Sequence, residues 1–475
     1  MNSKKMVIAY VPTRRNVFSK EEAQKYKREI KEYLKIFDAE FVDIDDINEE
    51  GLLFDEESAN EVVKKMENHH IDGVFFPHCN FGTEFLVGRV AKQLGKPVLL
   101  WAPQDDMPQG NGVRTRDSQC GLFATGKALR RFGVPFTYIT NCKVTDRKFA
   151  SGMETFIAVC RVVKAFTGLK VLQIAPRPAP FWSVICNEGE LLEKFGIEIV
   201  PLTLSELVAR AKSLEHKDNM EMQAALKQMS IIDVSRLGGE EVQRKIASLK
   251  AAMKEFCKEF NCSSVAMQCW DAMQDETGLM PCFSNGLLTD DGIPVACETD
   301  IHGAISAVIM QNAVNDIPFF ADMTIRHPEN KNAELLWHCG NFPPSLAKNR
   351  DTAYVGKHVI LPSHCPGTGE FELKQGDVTI CRFDGDRGEY SMFIGEGKTV
   401  DGPKTTGTYV WVEVQDLDYW EKKLVTGPYI HHCSGGFKKV SHILYEACKY
   451  MHGIQADLAY PTKGEVEDIL LRGVR

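Results

Sequence analysis

At 475 residues, with 44% hydrophobic and 25% charged side chains, the sequence is of ordinary globular composition and too long for one core, so roughly two to four domains are expected. A formal net charge of −9 and the lack of a long Lys/Arg run argue against a nucleic-acid or anionic-membrane partner, and no apolar run approaches the ~18 residues that cross a bilayer. Fifteen cysteines without a CxxC pair, behind an amino terminus whose short apolar segment Met6–Val11 suits a strand better than a signal peptide, predict reduced thiols in a cytoplasmic protein with no zinc ribbon.

From Met6 to about Thr167 the pattern alternates. Apolar strands MVIAYV, AEFVDI, IDGVFF, PVLLWA and PFTYIT are separated by helical stretches such as Glu21–Phe37, Glu57–His69 and Gln119–Phe132. That spacing predicts a parallel, flavodoxin-like sheet in a first domain, residues 1–168. Polar residues follow its strands, Arg14 and Arg15 after the first and His78 to Asn80 after the third, with no GxGxxG fingerprint. A second α/β domain, residues 169–343, opens with KVLQIA and the proline-rich loop PRPAPFWS. It continues through IEIVPLT and a charged helical region to SSVAMQCW, which places Gln268 and Trp270 at a strand end.

The stretch Ile293–Pro328 carries the chemistry. IPVACETD reads as a strand ending on Glu298, IHGAISAVIMQNAVND as a helix apolar on nearly every face, and IPFFADMTIRHP as a strand carrying Asp322. Strand–helix–strand at this length predicts a βαβ crossover with parallel neighbouring strands, both acids lying at the ligand-binding carboxyl edge. Two carboxylates converging there repel unless a cation or a shared proton lies between them.

The third domain, residues 344–475, is predicted as an antiparallel barrel or sandwich. Its strands KHVILP, FELKQ, DVTICRF, YSMFIGEG and TYVWVEV are split by QGD, DGD and DGPK turns. The tail is read as a loop, GPYIHHCSGG, and a helix, Val440–Met451.

The pattern ACETD…FFADMTIR, with Arg14–Arg15, AMQCW and the late YIHHCSGG, resembles the L-fucose and L-arabinose isomerases, ketol isomerases of the fucose-isomerase-like type. The resemblance implies two flavodoxin-like domains followed by a β-rich one, in a homo-oligomer with a hexamer among the candidate states. It implies a divalent cation, commonly Mn²⁺, on Glu298, Asp322 and His432, the two acids serving also as the acid/base pair. Gln268, Trp270, His338 and Arg14 would meet the sugar, Arg14 by reaching into a neighbouring subunit's site. Arabinose isomerases use a histidine near His338 as a ligand and a glutamate where Asp322 stands, whereas the Glu/Asp pair follows fucose isomerases. His338 is therefore either a fourth ligand or a residue packed around the site.

The expected activity is isomerisation of an aldose such as L-fucose, D-arabinose or L-arabinose through a cis-enediol. A sulfonated hexose is the alternative, since Arg14, Arg15, Arg114, Arg116, Lys438 and Lys439 fall on predicted loops. The rivals are a non-catalytic sugar-binding or regulatory protein, and a metal-dependent aldolase or epimerase. Each residue also has a plainer reading: helix cap or ion-pair partner for the acids, surface turn for His431–His432, core amide for Gln268.

Overall fold

The computed structural model describes residues 5–108, 110, 112–360 and 364–474. The chain forms two compact units, one of Asn2–Lys164, His442–Tyr450 and Lys463–Arg475, the other of Ala165–Ser441 and Met451–Thr462. Among the described residues no helix is long and apolar enough to cross a membrane.

In the first unit β1 (Met6–Tyr10), β2 (Ala39–Val42), β3 (Gly73–Pro77), β4 (Val98–Trp101) and β5 (Thr137–Tyr138) form a parallel sheet in the order β2-β1-β3-β4-β5. Alternate residues feed opposite faces. Ala9, Val74, Phe76 and Leu100 join one core, while Ile8, Tyr10, Phe75, Leu99 and Trp101 join the other, each under a layer of helices. This is the flavodoxin-like sheet expected from the alternation.

The second unit holds two sheets. The parallel one comprises β6 (Lys170–Ile174), β7 (Glu198–Leu202), β8 (Ser264–Met267) and β9 (Val295–Ala296), in the order β7-β6-β8-β9. The other contains β10 (Phe319–Arg326), β11 (Ala333–His338), β12 (Tyr354–Lys357), β13 (Pro366–Glu372), β14 (Asp377–Asp386), β15 (Glu389–Val400), β16 (Thr408–Val414), β17 (His432–Gly436) and β18 (Ile454–Leu458). Pairing runs β16-β11-β10-β17-β14-β15, and β15 pairs again with β16, so these strands close an antiparallel barrel. Closure removes the exposed edges of a long sheet. The architecture is thus two parallel α/β sheets and a barrel, as expected.

Three details differ from the sequence reading. The strands flanking the helix Ile301–Val314 are not a βαβ pair: β9 is the edge of the parallel sheet, whereas β10 pairs antiparallel with β11 and β17. The helix is apolar all round because it packs on β8 and β9 on one side and on β14 and β17 on the other. GPYIHHCSGG is not all loop, since His432–Gly436 is a strand between β10 and β14. Strand β11 was not anticipated, and of KHVILP only Lys357 lies in a strand, its Leu361 and Pro362 being outside the described residues.

Candidate functional site

Glu298 stands just beyond β9, in a turn where it and Thr299 both have positive φ, 56° and 55°. Such backbone costs about 1–3 kcal/mol per non-glycine residue and persists only when its surroundings hold it. Here the Thr299 N–H donates to Met267 O (3.0 Å) and its hydroxyl to Ala175 O (3.4 Å), tying the turn to the ends of β8 and β6. Asp322, in β10, is directly opposite His432, the first residue of β17. Opposed residues of an antiparallel pair share a face, so these two meet through register alone.

His432 Nε2 lies 3.0 Å from Glu298 Oε2 and 3.5 Å from Asp322 Oδ1, and His338 Nε2 lies 4.0 Å from Asp322 Oδ1. All four of these atoms are buried and make no hydrogen bond among the described residues. Buried polar atoms without hydrogen bonds cost about 1–3 kcal/mol each, so the cluster is one that a group from outside the chain could complete. Carboxylate oxygens with imidazole nitrogen are a donor set for a hard or borderline divalent cation. Asp322, His431 and His432 can each bring one ligand atom within 4.8 Å of the others, and Glu298 joins them through its approach to His432.

The field within the cluster favours separated charges. Burial would raise the Glu298 carboxyl, but His432, His338 and His431 pull it below its ordinary value. Burial would lower His432, yet Asp300, Glu298 and Asp322 carry it up to about 9. For His338 burial is likewise outweighed, chiefly by Asp322, and the ring is drawn up to about 10. Behind the site, His432 Nδ1–H donates to Asp300 Oδ2 (2.8 Å). Burial works against the Asp300 charge, but the adjoining Arg382 guanidinium holds that carboxyl well below the usual range. With Nδ1 tied to Asp300, Nε2 is the His432 nitrogen that faces Glu298 and Asp322, and a cation bound there would take the place of its proton.

Glu298, Asp322 and His432 therefore meet as the sequence suggested, and His338 stands beside Asp322. Trp270 is half-buried with its ring edge on Phe181 (5.8 Å), and Phe181 stacks over His432 (6.2 Å). Gln268 is half-buried at the end of β8, its N–H donating to Ile174 O. Arg14 is in the first unit, where it donates to Glu50 (2.6 and 2.8 Å) and Asn16 (2.5 Å) and covers the Phe54 ring. Of the other cations considered for an anionic sugar, Arg15 pairs with Glu84, Arg114 with Asp117, Arg116 with Asp105 and Asp106, and Lys439 with Asp377. Sequence reasoning missed Asp300, Phe181 and Arg382, and it gave His431 no role as a ligand. Asp300 had a signal, an acid opening an apolar helix, but that signal reads as a cap.

Residues 9–167 match a family model described as fucose/sulfoquinovose isomerase, N-terminal domain, and residues 336–457 match one described as L-fucose isomerase, C-terminal domain. Proteins named sulfoquinovose isomerase from Priestia aryabhattai and Priestia megaterium are each 28% identical over 412 residues, covering 86% of this chain and 89% of theirs. A sulfoquinovose isomerase from Alkalicoccus urumqiensis is 28% identical over 336 residues, covering 70% of this chain and 73% of its own. Among solved structures, a periplasmic solute-binding protein of an ABC transporter from Actinobacillus succinogenes, with bound D-allose, matches at 14% identity and a TM-score of 0.17, covering 56% of this chain and 78% of its own. A likeness at that level carries no argument.

Proposed function

The chain belongs to the fucose/sulfoquinovose isomerase family and is an aldose–ketose isomerase, and we propose that it acts on a sulfonated aldohexose such as sulfoquinovose with the help of a divalent cation, Mn²⁺ first. The observation that carries the site assignment is the convergence of four buried atoms that make no hydrogen bond among the described residues, Glu298 Oε2, Asp322 Oδ1, His338 Nε2 and His432 Nε2. The sulfonated sugar ranks ahead of L-fucose, D-arabinose and L-arabinose because the relatives that match across most of the chain are sulfoquinovose isomerases.

Asp322 and His432 would hold the cation, with Glu298 and His431 completing the set. Such a cation supplies positive charge where the substrate oxygens become enediolate, the costly part of moving a proton between C1 and C2. Glu298, held in its carboxylate form by the surrounding histidines, takes the proton from C2 and returns it to C1. Asp322 moves the proton of the neighbouring oxygen. Phe181 and Trp270 wall the cluster and limit water around the reacting carbons.

The test is to incubate the protein with Mn²⁺ and sulfoquinovose, L-fucose, D-arabinose or L-arabinose, and to follow ketose by NMR before and after EDTA. The expected result is EDTA-sensitive conversion with the highest kcat/KM for the sulfonated sugar. Faster turnover of a neutral aldose would reassign the substrate. Absence of any ketose, or the appearance of cleaved or epimerised product, would remove the isomerase reading.

A further inference from the structure

Two of the histidines around Asp322, His432 and His338, are tied at Nδ1 in opposite senses. His432 donates from Nδ1 to Asp300, which leaves Nε2 as the nitrogen that faces the acids and can meet a cation. His338 does the reverse: the backbone N–H of Cys339 donates to its Nδ1 at 2.9 Å. A ring nitrogen that accepts a hydrogen bond carries no proton, so the ring proton of His338 is on Nε2. The contact ties the ring to the residue that follows it in the chain and fixes which nitrogen is turned towards Asp322.

The resulting Nε2–H points into the cluster. It is buried, makes no hydrogen bond among the described residues, and comes no nearer to Asp322 Oδ1 than 4.0 Å, while the ring is 1% exposed. His338 also lies outside the group of Asp322, His431 and His432 whose ligand atoms fall within 4.8 Å of one another. A ligand that binds through Nε2 needs its proton on Nδ1, where the Cys339 amide already donates.

Resting on the isomerase reading above, we propose that His338 is not a ligand but a hydrogen-bond donor to the sugar, giving Nε2–H to the oxygen on which negative charge grows during proton transfer. The role follows from position. A fixed donor in a water-poor pocket is set up before the reaction and loses nothing to reorientation. It also divides the histidines: His432 shares the cation with the acids, and His338 shares the substrate with it.

The experiment measures Mn²⁺ affinity, by titration calorimetry or by EPR of free Mn²⁺, alongside kcat and KM for wild type, His338→Ala, His338→Gln and His432→Ala. Both His338 variants are expected to bind Mn²⁺ within about threefold of wild type. Loss of the donor lowers kcat about 10–100-fold in His338→Ala. His338→Gln, whose amide places an N–H near the same point, recovers part of that loss. His432→Ala is expected to weaken Mn²⁺ at least about tenfold, which provides the contrast. A tenfold or larger loss of Mn²⁺ affinity in a folded His338 variant overturns the proposal, as does unchanged kcat in both. If His338→Ala does not fold, His338→Gln decides by the same two readouts. Wild-type protein that binds no Mn²⁺ or makes no ketose fails the proposed function, whereas working wild type with metal-deficient His338 variants fails this inference alone.

Discussion

Glu298 is placed by a backbone that an ordinary residue avoids. Its positive φ and that of Thr299 are retained because the ends of β8 and β6 hold the turn through Thr299, so replacing the Glu298 side chain should leave the fold alone. For Glu298→Gln the expectation is a kcat reduced by ~10²-fold or more with an unchanged thermal transition, since the amide fills the same volume but cannot take a proton. Normal turnover in that variant would sink the assignment of the base. Asp300 is equally local but acts through others. Its carboxylate accepts from His432 Nδ1, from the Gly303 N–H at the start of the helix Ile301–Val314 (2.9 Å) and from Arg382 (3.1 Å from Nη2), and Arg382 in turn donates to Asp384 (2.8 Å). Asp300→Asn should weaken Mn²⁺ about 10–100-fold, because an uncharged partner no longer anchors the ligand tautomer. An unaltered Mn²⁺ titration would show that the carboxylate only caps the helix. The acid pair was legible in the sequence because carboxylates embedded in apolar strands are costly without a purpose. Asp300 was not, because one carboxylate doing the work of a cap has the same local signature whether or not a histidine lies behind it.

Elements explain where the sequence reading went astray. An apolar run says that a strand is buried but not which strand lies beside it, and a helix apolar on all faces fits a crossover as well as a helix wedged between two sheets. What decides is the barrel register. Phe319 of β10 lies opposite Gly435 of β17, and this pairing carries Asp322 opposite His432. A Cβ at Gly435 would sit 2.1 Å from the ring of the fully buried Phe319, so the ring occupies the space the glycine leaves. Gly435→Ala should cost about 2–3 kcal/mol and weaken Mn²⁺ as well, through displaced register. Retained stability would mean that the barrel wall yields more easily than its packing suggests. A different element gives a pH prediction. Asp290 ends the helix Cys282–Asp290, where the dipole disfavours an anion. Burial lifts its carboxyl to about 6, and hydrogen bonds from Ser345 only partly counter this. With the folded value raised, its stabilising contribution is complete below the unfolded value near 4 and disappears as pH rises through about 6. Asp290→Asn should therefore raise stability by about 1–2 kcal/mol at pH 8 and change little at pH 4–5, as thermal melts at the two values would reveal. An equal effect at both would exclude ionisation as the cause.

At the scale of the molecule, the candidate ligands are far apart in the chain yet converge within one unit. Glu298 follows the parallel sheet, while Asp322 and His432 belong to β10 and β17 of the barrel. The alternating strands made the parallel sheets legible, and the turn signals made the barrel so. The closure that brings residue 432 onto residue 322 depends on long-range pairing that leaves no periodic trace. A cation bridging these groups joins two sheets, so its binding free energy is also folding free energy of that unit. Mn²⁺ at about a hundred times its Kd adds ~2.7 kcal/mol to the folded state. For a unit of this size that corresponds to a rise of roughly 5 °C in Tm. EDTA should reverse the gain in wild type and shift His432→Ala by no more than about half as much, since a tenfold weaker site keeps only about half of that stabilisation. Scanning calorimetry of both proteins with and without EDTA resolves the matter. A wild-type transition insensitive to Mn²⁺ and chelator would mean that the acids and imidazoles approach one another without a cation between them, while an EDTA shift of undiminished size in His432→Ala would place the metal elsewhere in the chain.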